Sequence, residues 1–129
     1  MAIRVLIADD DEGVRETLAR VMRGEDDLEV VGIASDADEA VDLAQLRTPD
    51  VALLDVRMPK GGGKRAANGI ALVSPRTVVI AFSAHDDASS ITDMFEGGVG
   101  EYVLKDGPVD SLLDTIRRQV RRPSASGTS

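Results

Sequence analysis

Ile3-Arg4-Val5-Leu6-Ile7-Ala8-Asp9-Asp10-Asp11 reads as a buried strand that runs into three consecutive carboxylates. The near-continuous apolar run suits a strand covered on both faces. A second run, Val51-Ala52-Leu53-Leu54, ends on Asp55. Two strands that each deliver acids at their carboxyl ends can build one oxygen-rich pocket. Crowded carboxylates repel: at about 4 Å and an effective dielectric of about 20, each pair costs roughly 4 kcal/mol. A hard divalent cation with oxygen ligands is the natural compensation.

Outward from these runs, strand and helix patterns alternate. Val14, Leu18, Val21 and Met22 share one face of a first helix, and Leu28 to Ala34 is a second strand. Asp36 with Glu39 signals a helix start, and Ala37, Ala40, Val41 and Ala44 continue one face of it. After Asp55, Met58 to Gly63 is a loop by its proline and glycine content. Ala66, Ile70 and Val73 fit a short helix weakened by Gly69. Thr77 to Ser83 is a fourth strand. Ile91, Met94 and Phe95 mark a fourth helix, and Glu101 to Lys105 a fifth strand. Val109, Leu112, Leu113, Ile116 and Val120 form the apolar stripe of a last helix. Five such alternations predict an α/β fold, a doubly wound five-stranded parallel sheet with five helices. Ligands of such sheets bind beyond the strands' carboxyl ends, where strand order reverses. For order 2-1-3-4-5 that point lies between the strands ending on Asp9-Asp10 and on Asp55.

The chain has 129 residues, which predicts one domain over 1–122, with 123–129 a flexible tail or linker. It has no cysteine, which excludes disulfides and thiolate metal sites. The formal net charge of −8 argues against direct nucleic-acid binding by this domain. No stretch matches a membrane span or a signal peptide, so a cytoplasmic protein without membrane contact is expected.

Asp10 and Asp55 can both reach a metal in the crevice, with Asp9 helping directly or through water. Mg²⁺ suits them best, because it takes few protein ligands and keeps waters and phosphate oxygens. Ser83 and Lys105 end the fourth and fifth strands at the same rim, and a hydroxyl donor and an ammonium suit phosphoryl oxygens. The set reads as a phosphoryl-transfer site with a nucleophilic carboxylate.

These residues resemble the receiver domain of bacterial two-component response regulators. The likeness runs from residue 3 to about 120. It rests on Val5-Leu6-Ile7-Ala8-Asp9-Asp10, Leu54-Asp55-Val56-Arg57-Met58-Pro59, Ala81-Phe82-Ser83-Ala84, and the run from Gly98 to Asp106. The resemblance implies a flavodoxin-like fold with strand order 2-1-3-4-5. It implies Asp55 as acceptor of a phosphoryl group from a histidine kinase. It implies Mg²⁺ on Asp10, Asp55 and the Arg57 backbone carbonyl, with Asp9 alongside. By the same likeness, Ser83 and Lys105 bind the acyl phosphate and Tyr102 is the switch aromatic. An attached effector domain, a downstream protein or a second copy of the chain are the further partners it suggests. Two departures stand out. Asp106 follows the lysine where many receivers have proline, and Lys60-Gly61-Gly62-Gly63-Lys64-Arg65 is unusually basic and glycine-rich.

Simpler readings compete at each position. Asp9 and Asp10 could be helix-capping acids, Ser83 a strand-end hydroxyl, Lys105 a solvated lysine, and Tyr102 plain edge-strand packing. His85 is expected in a loop at the site mouth with no catalytic role. Gly61-Gly62-Gly63-Lys64 is no P-loop, because the leading glycine is missing and Arg65 stands where Ser or Thr belongs. Arg117, Arg118, Arg121 and Arg122 are expected to complement the last helix dipole. Two other functions compete as well. A Mg²⁺-dependent phosphohydrolase with an aspartyl-phosphate intermediate would carry an acid two residues after the nucleophile, where this chain has Arg57. A pseudo-receiver acting only by protein binding would not need the acids, Ser83 and Lys105 together.

Overall fold

The computed structural model describes residues 2–121. The tail expected at 123–129 lies outside them. The strands are β1 (Ile3–Ala8), β2 (Leu28–Ala34), β3 (Val51–Leu54), β4 (Val78–Ser83) and β5 (Glu101–Leu104). The helices are α1 (Glu12–Arg23), α2 (Ala37–Arg47), α3 (Gly62–Val73), α4 (Ala88–Glu96) and α5 (Val109–Arg121). All strand pairs are parallel, in the order β2-β1-β3-β4-β5. The expected α/β, flavodoxin-like arrangement is the one found.

The period of two along each strand divides the core into two layers. Val5, Ile7, Val51, Leu53 and Ile80 pack with Leu18 and Met22 of α1 and with Leu112 and Ile116 of α5. Leu6, Ala8, Ala52 and Leu54 face the other way, onto Ala40 and Ala44 of α2, Ala66 and Ile70 of α3, and Met94 of α4. Small side chains line this second layer, so its helices sit close to the sheet and to each other. Truncating Leu53 or Ile80, both buried, would cost about 2–5 kcal/mol by loss of burial and the cavity left behind.

Gly69 has a reason its position in the sequence does not reveal. The expected weak helix is a full twelve residues, α3, and a Cβ on Gly69 would lie 2.6 Å from Val41 Cγ2 of α2. The glycine lets two helices approach, and that contact offsets its poor helix propensity. Two expected core residues are not core. Phe95 is 48% and Val109 41% exposed. α4 turns only Ser90 and Met94 fully inward, and Val109 begins α5 before its stripe reaches the sheet.

Candidate functional site

The sheet itself places the site. The Asp9 amide donates to the Ala34 carbonyl (3.1 Å), the Asp55 amide to Ala8 (3.0 Å), and the Lys105 amide to Ser83 (2.9 Å). Each residue is therefore held by the ladder bond just past its strand, so the three side chains emerge together at the carboxyl edge. Asp9, Asp10 and Asp55 each offer a carboxylate oxygen within 4.8 Å of the others'. Asp9 and Asp55 are buried and Asp10 is exposed.

The capping reading of Asp9 and Asp10 gives way to a division of labour. Asp11 is the N-cap of α1, its Oδ1 accepting from the Val14 amide at 3.2 Å. The cap thus falls on the third acid; Asp9 Oδ1 accepts from the Asp11 amide at 2.9 Å, and its Oδ2 faces Lys105. Asp36 caps α2 (2.8 Å from the Glu39 amide) and Asp87 caps α4 (3.0 Å from the Ser90 amide). In α2 the returning Glu39 carboxylate accepts from Ser35, one residue earlier than a standard capping box.

Lys105 ties the acids together. Its Nζ is 2.6 Å from Asp9 Oδ2 and 3.4 Å from Asp55 Oδ2, and it stands 5.9 Å from the centre of the Phe82 ring. It is no solvated lysine, since its side chain is only 18% exposed. Burial opposes its charge, but the hydrogen bond to Asp9 and the fields of Asp55 and Asp9 outweigh burial and hold its pKa above the usual lysine value. Asp55 shifts upward. Burial and the neighbouring Asp9 charge disfavour its carboxylate more than Lys105, the Val56 amide and the Ser83 hydroxyl favour it. A buried acid with a raised pKa beside like charge is a group that gains from a cation.

Several contacts carry no sequence signal. The Val56 amide donates to Asp55 Oδ1 at 2.8 Å. The Arg15 guanidinium donates to the Asp9 carbonyl at 2.8 Å. A Cβ on Gly63 would fall 2.3 Å from the Asp55 carbonyl oxygen and 2.9 Å from Met94 Cε, so only glycine lets α3 start this close to the strand end. The peptide of His85 joins two predicted site residues. Its N–H donates to Ser83 Oγ at 3.1 Å, and its carbonyl accepts from the Tyr102 hydroxyl. Ser83 is fully buried, and Tyr102 packs half-buried against the layer that holds Met94. Arg57 is exposed at the rim. The Lys105–Asp106 peptide is trans, as are all those among the described residues.

The basic residues of α5 do not serve the dipole alone. Arg117 grips Asp27 (2.8 Å) and Glu25 (2.7 Å) in the α1–β2 turn, and Arg118 pairs with Glu101 of β5 at 2.9 Å. Among the described residues, no helix is long and apolar enough to cross a membrane.

The acids could hold a divalent metal and the lysine and hydroxyl could meet an anion. The pattern of the response regulator receiver domain matches residues 5–117. The transcriptional regulatory protein DegU of Brevibacillus brevis is 34% identical over 115 residues, 89% of this chain and 49% of that protein. The transcriptional regulatory protein PdtaR of Mycobacterium tuberculosis is 39% identical over 121 residues, 92% of this chain and 57% of that one. The chain spans about half the length of the curated relatives it matches. Among solved structures, the response regulator domain of Thermotoga maritima CheB superposes with a TM-score of 0.86 at 28% identity, covering 95% of this chain and 98% of that one. The signal receiver domain of the response regulator NarL from Mycobacterium tuberculosis gives 0.81 at 32%, covering 90% and 97%. The chain belongs to the response regulator receiver domain family, the phosphoacceptor modules of two-component signalling.

Proposed function

We propose that Asp55 is the phosphoacceptor, that its donor is the phosphohistidine of a histidine kinase in the cytoplasm, and that Mg²⁺ is the working cation. The carrying observation is the trio of carboxylates within 4.8 Å, two of them buried and bridged by one lysine. Asp10, Asp55 and the Arg57 carbonyl would hold the metal, with Asp9 beside them. Bound there, Mg²⁺ neutralises crowded acids and the phosphoryl oxygens.

The residues of this chain supply the rest. The Val56 N–H holds Asp55 Oδ1 and so fixes the plane of the carboxylate. An Asp55 oxygen donates its electron pair to phosphorus as the phosphorus–nitrogen bond to the donor imidazole breaks. The imidazole leaves with the electron pair of the broken phosphorus–nitrogen bond and takes a proton from solvent. Lys105 is close enough to share its charge between Asp9 and the new phosphoryl oxygens. The Ser83 hydroxyl donates to a phosphoryl oxygen, which disturbs the bond that Ser83 accepts from His85 and, through the same peptide, the Tyr102 hydroxyl. Tyr102 on edge strand β5 then carries the change to the surface of α4, β5 and α5. There an attached effector domain, a downstream protein or a second copy would read it.

The test is direct. The protein is incubated with Mg²⁺ and a small acyl phosphate, and an acid-stable, base-labile adduct is mapped. It should sit on Asp55 and be absent from Asp55→Asn. An adduct that persists in Asp55→Asn on another residue refutes the assignment. No labelling at all in folded wild type with Mg²⁺ leaves the pseudo-receiver standing, and rapid multiple turnover favours the phosphohydrolase.

A further inference from the structure

The loop from β3 to α3 is held in a way the acceptor alone does not explain. Lys60, Gly61 and Gly62 take left-handed backbone in succession, with φ of 67°, 110° and 78°. A lysine in that region is strained. α3 then starts without a side-chain cap. Inside the loop, the Gly62 amide donates to the Met58 carbonyl (3.1 Å) and the Gly63 amide to Val56 (2.7 Å). The segment from Val56 to Gly63 is therefore closed on itself.

Its outer grip comes from two helices. The first residue of α2, Ala37, donates its amide to the Pro59 carbonyl at 3.1 Å. Arg65, in the first turns of α3, reaches back. Its guanidinium donates to the Lys60 carbonyl and pairs with Asp38 of α2 through the same nitrogen. The Arg65 stem crosses the loop so closely that a Cβ on Gly61 would lie 2.3 Å from its Cδ. Gly61 is required there both by its φ and by that side chain.

We infer that Arg65 is a positioning residue for the metal site: by pinning Lys60 to Asp38 it sets the segment that presents the Arg57 carbonyl beside Asp55. The inference rests on the metal reading of the proposed function. Arg57 and Lys60 lie in this one closed segment, which begins at the residue after Asp55, so a displacement at Lys60 is felt at Arg57. The Arg65 and Asp38 side chains are 58% and 47% exposed, so the pair contributes little to global stability. Its effect is on the place of the loop.

The sign of one measurement separates this role from plain electrostatics. Arg65 is a cation held against the loop that follows Asp55, so removing its charge should, by relief of Coulomb repulsion alone, leave Mg²⁺ binding equal or tighter. Positioning demands the reverse. Mg²⁺ titration by calorimetry or amide chemical shifts should show Arg65→Ala binding roughly two- to fivefold more weakly than wild type. In chelator its melting temperature should match wild type, while hydrogen exchange at the Gly62 and Gly63 amides quickens. Arg65→Lys keeps the charge with a single ammonium and should fall between the two. Asp38→Ala should weaken binding too, and the double variant should be no worse than Arg65→Ala. Equal or tighter Mg²⁺ binding by folded Arg65→Ala overturns the inference while the metal site stands. Failure of wild type to bind Mg²⁺ removes the metal site and the inference with it.

Discussion

Replacing Asp55 with asparagine should make the metal-free protein more stable, and the structure says by how much. Asp55 is 7% exposed. Its attraction to Lys105 acts over 3.4 Å, about 5 kcal/mol at an effective dielectric of about 20. Its repulsion from Asp9, within 4.8 Å, is at least about 3 kcal/mol on the same scale. The remainder does not cover the several kcal/mol of removing a carboxylate from water, in keeping with its upward-shifted pKa. Asparagine keeps an oxygen for the Val56 amide and carries no charge. We expect a gain of about 1–2 kcal/mol in chelator at pH 7, a rise of several degrees in Tm for a domain of this size. The sign follows from linkage. A carboxyl whose folded pKa is raised binds more protons folded than unfolded, so wild-type stability falls as pH climbs from about 3.8 through the raised folded value. The variant lacks that loss, so the two melting curves should converge at acid pH. Denaturation of both proteins across pH 3.5–8 in chelator is the assay. A variant less stable than wild type at pH 7, or a gap that widens toward acid, refutes the reasoning.

Asp10→Ala should be at least as stable as wild type in chelator and lose the rise in Tm that Mg²⁺ gives, read by thermal shift with and without the metal. Lys105→Ala should lose about 2–4 kcal/mol in chelator, because buried Asp9 is left unpaired; saturating Mg²⁺ should restore much of it, and equal losses in both conditions would contradict the shared pocket. The stability that charged Lys105 contributes should be intact below pH 10.5 and vanish as pH rises through its raised folded pKa, measured as wild type against Lys105→Met. Gly63→Ala should lose about 1–3 kcal/mol by overpacking, since its Cβ meets the Asp55 carbonyl and Met94; chemical denaturation checks it.

The sequence by itself determined the sheet, its layers and the acid pocket. Strand side chains alternate with a fixed period, so Val5 and Ile7 had to face one layer and Leu6 and Ala8 the other. A carboxylate just past a buried parallel strand has nowhere to go but the carboxyl edge, which is why Asp9, Asp10 and Asp55 could be brought together on paper. Lys105 and Ser83 followed by the same rule. What needed the tertiary structure was every choice between neighbours distant in sequence. Three consecutive acids can each cap a helix, and only the turn into α1 selects Asp11. Gly69 is a poor helix residue until Val41 of another helix lies against it. Phe95 and Val109 fit apolar stripes, yet among the described residues they stay 48% and 41% exposed. Arg117 looks like a dipole partner until the α1–β2 turn brings Glu25 and Asp27 to it. The backbone of His85, which joins Ser83 to Tyr102, has no sequence signature, because every residue carries the same N–H and C=O and only the fold decides where they point.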